Sequence, residues 1–383
     1  MVLALMSCGA ADNPAPPATA SPEAITDPVL PAGTWSTDEI ARLLHWVHAA
    51  PQDALPSPGT QELETAIASG DHAAIDTAAS ALALKLGRMH LLGVATTAQR
   101  AGWHITDTDT AIDLQPRLEA ALASDDIDGF FEALRPAHPD YAALRKALAT
   151  ETDPERRATI ARNMERWRWM PRSLGRSYVL VNTATFEARL WRNGQQTGTW
   201  RVIVGKRSTP SPVFSAQITG VILNPWWNIP ASIVREKHGR FPARLGYVKT
   251  ASGYRQKPGP NNALGQMKLV MPNPFSVYMH DTPGKSLFER DVRAFSHGCI
   301  RVGNALNFAT TLLDGARTRE EVDAVVESRK NTTVKLPSPL PVYITYFTAG
   351  LLGDGTFVVQ PDIYGRDKRV PALAKAFDTE CSA

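Results

Sequence analysis

Between Ser36 and Trp169 apolar residues recur every three or four positions. Ile40, Leu43, Leu44 and Val47 follow Ser36-Thr-Asp-Glu39, a capping box in which the serine and the glutamate satisfy each other's free amides, so a helix is predicted there. The same spacing predicts helices over 73–92, 118–123, 127–134 and 141–149. Thr152-Asp-Pro-Glu155 opens one more, with Pro154 in its first turn, running through Met164 towards Trp169. After Pro171 the pattern changes to short β-rich runs broken by Gly, Pro and Asn: Tyr178-Val-Leu-Val-Asn182, 186–191, 200–204, 221–223, Val277-Tyr-Met-His280 and Val342-Tyr-Ile-Thr-Tyr346. Asn193-Gly194 between two of these runs predicts a hairpin. Two helices interrupt the strands, one over 305–313 and one from the capping box Thr318-Arg-Glu-Glu321 to Glu327. The expected fold is therefore α+β, an α-helical N-terminal region followed by a mainly β region with appended helices.

Composition narrows the function. The chain has 383 residues with 41 Lys+Arg against 38 Asp+Glu, a balance too even for a nucleic-acid-binding face. An apolar fraction of 43% is that of a globular chain, and no apolar run reaches the ~18 residues of a membrane-spanning helix. The 22 residues from Ala10 to Pro31, rich in Ala, Pro and Thr, read as a flexible tether. The cysteines, Cys8, Cys299 and Cys381, are too dispersed for a disulfide framework or a zinc cluster. His45 and His48, spaced to share a metal, are flanked by Leu44, Trp46 and Val47 and read as ordinary helix residues. No metal-binding, P-loop or nucleotide fingerprint is present, so neither metal nor cofactor is expected. Cys381 and the Asn331-Thr-Thr333 sequon are read as incidental.

The chemistry concentrates in Tyr278-Met-His280-Asp-Thr-Pro283 and, twelve residues later, Ser296-His-Gly-Cys299-Ile-Arg301. A thiol attacks as its thiolate, and so needs a base or a positive charge nearby. Two histidines and an arginine accompany the one cysteine in the body of the chain. Gly298, beside it, would let backbone amides approach a developing oxyanion. Tyr278 and His280, two apart on a strand, share a face; lining a pocket and simple packing are both open for the tyrosine.

His280, fifteen residues and then Ser-His-Gly-Cys with a following Arg resemble the signature of L,D-transpeptidases with a YkuD-type catalytic domain, bacterial enzymes that cross-link peptidoglycan. Glu165-Arg-Trp-Arg-Trp-Met-Pro171, Thr209-Pro-Ser-Pro-Val-Phe214, Asn224-Pro-Trp-Trp-Asn-Ile-Pro230, 258–265 and Asp362-Ile-Tyr-Gly-Arg-Asp367 are similar to the periplasmic YcbB-type branch, as is Pro136-Ala-His-Pro-Asp-Tyr141 in the helical region. The resemblance implies a tether over 1–32, a scaffold domain over 33–165 and a catalytic domain over 166–383 with a short cap over 229–256. Longer members of the branch insert a peptidoglycan-binding domain between scaffold and catalytic domain, and one helix from 148 to 169 leaves no room for it here.

By the same resemblance Cys299 is the nucleophile and His280 its base, oriented by a backbone carbonyl near Ser296. His297 either shapes the oxyanion site or fixes the loop in a supporting role, and Arg301 holds either the loop or a substrate carboxylate. Trp226, Trp227 and Asn228 are candidates for a wall against the stem peptide. The implied partners are peptidoglycan stem peptides, with a diaminopimelate amine as acceptor and either L-alanine at position one or diaminopimelate at position three as donor. Carbapenems are expected to acylate Cys299. An L,D-carboxypeptidase or endopeptidase using water, and an inactive wall-binding scaffold, are the competing readings. The implied location is the periplasm. Met1-Val-Leu-Ala-Leu-Met-Ser-Cys8 leaves two alternatives open, the remnant of a lipoprotein signal with Cys8 as lipid anchor, or an incidental cysteine in the tether.

Overall fold

The computed structural model describes residues 35–372; the tether, Cys8 and Cys381 lie outside them. Seven helices come first: α1 (Thr37–Ala49), α2 (Gln61–Ser69), α3 (His72–Leu92), α4 (Gln115–Ala123), α5 (Ile127–Leu134), α6 (Pro139–Thr150) and α7 (Pro154–Trp167). Both arms of the Ser36/Glu39 capping box are formed, and Asp71, Asp126 and Asp153 cap α3, α5 and α7 through their carboxylates. The helix α2 was not predicted: in its nine residues only Leu63 and Ala66 are buried, too short an apolar stripe to read from spacing. Leu43, Val47, Leu63, Ala83, Leu86, Leu118, Ile127 and Phe131 join in one helical core. His45 and His48 are exposed on α1.

The second core belongs to a sheet. Its strands are β1 (Trp103–His104), β2 (Ser177–Asn182), β3 (Glu187–Arg192), β4 (Gln195–Gly205) and β5 (Val213–Leu223). Beyond a cap containing β6 (Trp227–Asn228), α8 (Ala231–Glu236), β7 (Tyr247–Thr250) and β8 (Gly253–Gln256) follow β9 (Met267–Val270), β10 (Met279–His280), β11 (Ala294–Ser296) and β12 (Ile300–Val302). Helices α9 (Ala305–Leu313) and α10 (Arg319–Glu327) precede β13 (Thr332–Thr345) and the hairpin β14 (Ala349–Leu351) and β15 (Phe357–Val359). The order β5-β13-β2-β3-β4-β12-β10-β9, with β9 returning to pair with β5, closes the sheet on itself, which removes its free edges. The Asn193-Gly194 turn has positive φ at both residues, 51° and 76°, as a tight hairpin requires.

The expected strands are present but longer than their apolar runs. Strands β4 and β5 each have eleven residues and β13 has fourteen, because polar outward positions such as Gln195, Gln217 and Lys335 continue the ladder. In contrast, only Met279 and His280 of 277–280 form a strand.

Helices α6 and α7 pack into the sheet's core through Tyr141, Leu144, Ile160 and Met164. The motif residues here form the clamp between helices and sheet. Glu165 accepts the Val94 and Ala95 amides at 2.9 and 2.8 Å and the Trp169 indole at 3.0 Å. Arg168 pairs with Glu165 at 3.3 Å and donates to the Tyr141 hydroxyl at 2.8 Å. Arg166 pairs with Asp367 at 2.7 Å, and Arg189 with Asp140. These pairs are buried, where a charge persists only if it is paired and hydrogen-bonded.

Candidate active site

His280 lies on β10 between β9 and β12. It stands opposite Lys268 on antiparallel β9 and opposite Arg301 on parallel β12. The ladder continues past the strand end, with the Ile300 amide donating to the Tyr278 carbonyl at 2.9 Å. Side chains alternate across a sheet, so Tyr278, His280, Cys299, Arg301 and Lys268 share one face while Met267, Leu269, Met279 and Ile300 fill the core behind. His280 is buried and the other four are half-buried.

The His280 Nδ1–H donates to the Asp281 carbonyl. A carbonyl can only accept, so in the neutral ring Nε2 is the bare, basic nitrogen. Burial, and after it the charges of Arg301 and Lys268, push His280 down to about 3 against the pull of the Asp281 carbonyl and, more weakly, the Leu264 carbonyl. Asp281 is itself fixed: its amide donates to the Met267 carbonyl, and its carboxylate accepts the Gln266 amide at 2.9 Å and pairs with Lys285. Gly265 allows that close approach. It has φ +61°, and a Cβ there would lie 2.3 Å from the Asp281 carboxylate.

The expected orienting carbonyl near Ser296 is corrected by this geometry. Ser296 lies on β11, alongside β4, and its carbonyl accepts the Lys206 amide at 2.9 Å and the Thr209 hydroxyl at 3.3 Å. Its own hydroxyl braces the turn, accepting the Gly298 amide at 3.1 Å and donating to the Cys299 carbonyl at 2.5 Å. The Gly298 amide is therefore already engaged. Gly298 takes φ +110° with its carbonyl held by the Ser211 hydroxyl at 2.7 Å. The backbone amide that favours the Cys299 thiolate is that of Tyr278. Burial pushes the Cys299 thiol up, and the Tyr278 amide, Lys268 and Arg301 pull it back only in part. Burial likewise pushes the Tyr278 phenol up.

His297 is exposed and reaches the cap, with Nε2 2.7 Å from Glu236 Oε2 of α8 and 3.4 Å from Lys206 Nζ. The cap is a small three-stranded sheet in the order β6-β8-β7 with α8. Asn262 secures it by donating to the Pro225 and Lys257 carbonyls at 3.0 and 2.9 Å. Trp226 and Trp227 are half-buried and Asn228 exposed on this cap, the Arg255 guanidinium lying 4.2 Å from the Trp226 ring centre. Lys268 was missed by sequence reasoning: a lone lysine in Met267-Lys-Leu-Val270 carries no signal until the register sets it beside His280. Among the described residues no group of three or more His, Cys, Asp or Glu could hold a metal ion, and no helix is long and apolar enough to cross a membrane.

Comparison with known proteins adds the relationship. Residues 176–330 match the YkuD family model of the L,D-transpeptidase catalytic domain, and residues 32–148 match a scaffold-domain model. A curated Haemophilus influenzae protein named for L,D-transpeptidase activity is 31% identical, the match covering 55% of this chain and 48% of the relative. The chain thus spans about half the length of that relative. Among solved structures, an L,D-transpeptidase from Mycobacterium smegmatis aligns at 12% identity and a TM-score of 0.26, over 44% of this chain and 58% of that one. L,D-transpeptidase 3 from Mycobacterium tuberculosis aligns at 14% identity and a TM-score of 0.25, over 44% and 61%.

Proposed function

We propose, from the premise that this chain joins a scaffold domain to an L,D-transpeptidase catalytic domain of the YkuD type without a peptidoglycan-binding domain between them, that it cross-links peptidoglycan stem peptides through a thioester on Cys299. The observation that carries the reading is a neutral imidazole, held by its Nδ1–H on the Asp281 carbonyl, on the same sheet face as the thiol. Its bare Nε2 suits it to take the thiol proton. We take 33–165 as scaffold and 166–383 as catalytic domain.

In the first step Cys299 Sγ attacks the carbonyl carbon at an L-configured centre, and His280 takes the thiol proton. The carbon–nitrogen bond breaks, the departing amine accepts that proton, and the acyl group stays as a thioester. In the second, the amine of a diaminopimelate residue on another stem attacks the thioester. Its proton returns through His280 to sulfur, and the new amide leaves. The Tyr278 amide beside the sulfur is suited to stabilise the oxyanion in both steps. His297 joins the catalytic turn to the cap, and Trp226, Trp227 and Asn228 give the cap an aromatic and polar edge for the stem. The short cap keeps L-alanine at position one and diaminopimelate at position three both open as donors. Such a substrate places the protein in the periplasm, and carbapenems acylate the same sulfur.

Intact-mass spectrometry after mixing with stem peptides tests the reading. An adduct of the acyl fragment should form and be lost in Cys299→Ala; its absence from the intact protein refutes the thioester. If the adduct turns over to free acid without a cross-linked product, water is the acceptor and the protein is a hydrolase.

A further inference from the structure

Among the described residues, two cations in the site have no acidic partner. Lys268 Nζ lies 3.6 Å from the centre of the Tyr278 ring, and its strand places it across from His280, with Arg301 on the other side. Among the described residues neither cation forms an ion pair, and the one acidic side chain acting on either is the Cys299 thiol. Both are half-buried, and burial lowers both below their ordinary values. Holding two cations partly out of water without an anion is unfavourable. The resting thiol does not supply one, because its own burial keeps it protonated. The cations are therefore arranged for a negative charge that arrives from outside.

The proposed reaction brings such a charge to this place. Cleaving an amide between an L- and a D-residue releases the D-residue's nitrogen, and that residue carries its α-carboxylate on the carbon bonded to this nitrogen. The carboxylate is free when the peptide ends there, and equally when the chain continues through the residue's side-chain carboxyl. We propose that Lys268 and Arg301 form an anion subsite beside Cys299 that holds the free α-carboxylate of the D-residue on the leaving side of the scissile bond; this rests on the acyl-transfer reading above. Arginine supplies a planar fork for the carboxylate and lysine a point charge on the other side. A carboxylate bound there also offsets the two charges that add to burial in holding His280 down, making Nε2 a better base once substrate is in place. The subsite serves either donor position, because both present the same leaving-side group.

The test compares alkylation of Cys299 by iodoacetate and by iodoacetamide, read by mass spectrometry on the peptide containing Cys299. The same thiolate attacks both reagents, so its ionisation cancels in the ratio of rates and the ratio reports anion binding alone. Lys268→Gln should lower the iodoacetate/iodoacetamide ratio by roughly tenfold, and Lys268→Arg should keep it. A ratio unchanged in Lys268→Gln overturns the proposal. In a second arm, stem peptides carrying the leaving-side α-carboxylate or its carboxamide are compared. The intact protein should prefer the acid through KM, and Lys268→Gln should erase the preference; equal losses on acid and amide also overturn the proposal. If the alkylation ratio depends on Lys268 while no stem peptide acylates Cys299, the subsite stands and the acyl-transfer reading falls.

Discussion

His280 and Arg301 face each other directly across the parallel pair β10–β12, with the half-buried Cys299 two residues before Arg301 on the same face. Placing a permanent cation against the base has a consequence for the chemistry. Burial first, and then that cation, disfavour the imidazolium, and burial also keeps the thiol protonated, so thiol and imidazole rest as a neutral pair rather than as thiolate and imidazolium.

That state predicts a pH profile. Alkylation of Cys299 by iodoacetamide should rise only above the ordinary cysteine range of about 8.5, because burial pushes the thiol up. No step should appear near pH 6.5, because His280 stays neutral down to about 3. A reactive plateau between about pH 5 and 7 would show an ion pair instead.

Gly265→Ala should damage the site more than the fold. The added Cβ would lie 2.3 Å from the Asp281 carboxylate, and moving Asp281 moves the carbonyl that sets the His280 tautomer. We expect acylation to slow by about a hundredfold, the usual effect of a misplaced catalytic group. Thermal unfolding should shift far less than the activity, and a variant with unchanged acylation would separate Asp281 from His280.

The scaffold clamp is a stability element. Glu165→Ala leaves the buried Arg168 without its carboxylate and three donors without an acceptor, and should destabilise by about 3–5 kcal/mol in urea unfolding. A loss below about 1 kcal/mol would mean that helices and sheet do not depend on it.

Acid should unfold the protein through its buried histidines. Burial lowers His90 to about 3, His138 to about 4 and His280 to about 3, whereas the unfolded chain binds these protons near pH 6.5. Between those limits the unfolded state binds more protons. Stability is thus full above about pH 6.5 and falls as pH drops towards the folded values, by about 1.4 kcal/mol per pH unit for each histidine. Both His90 ring nitrogens lack partners among the described residues, and the ring packs edge-on to Trp46. His90→Phe should reduce the slope of stability between about pH 6 and 4 by one histidine's share, as chemical denaturation at several pH values would show. An unchanged slope would mean that His90 is protonated in the native state.

Much of this architecture was legible in the residues. Capping boxes at Ser36 and Thr318, Pro154 in the first turn of α7 and Asn193-Gly194 are local signals, and local backbone chemistry obeyed them. The Cys299 and His280 motif was legible for the same reason, as a short segment with an unusual density of reactive groups. What could not be read depends on pairing between distant segments. Closure of the sheet through β9 and β5, the position of Lys268 beside His280 and the use of Asp281 rather than Ser296 as the orienting carbonyl are set by register. The clamp residues Glu165, Arg166 and Arg168 were visible as a motif, but their work of joining helices to sheet appears only when Val94, Tyr141 and Asp367 come together.

The central claim is acyl transfer through Cys299, and muropeptide mass spectrometry tests it most directly. Purified stem peptides incubated with the protein should yield cross-linked dimers, with none formed by Cys299→Ala, and fragmentation of the new amide would assign the donor to position one or position three. Dimers formed equally well without the thiol, or only shortened monomers with it, would contradict the account.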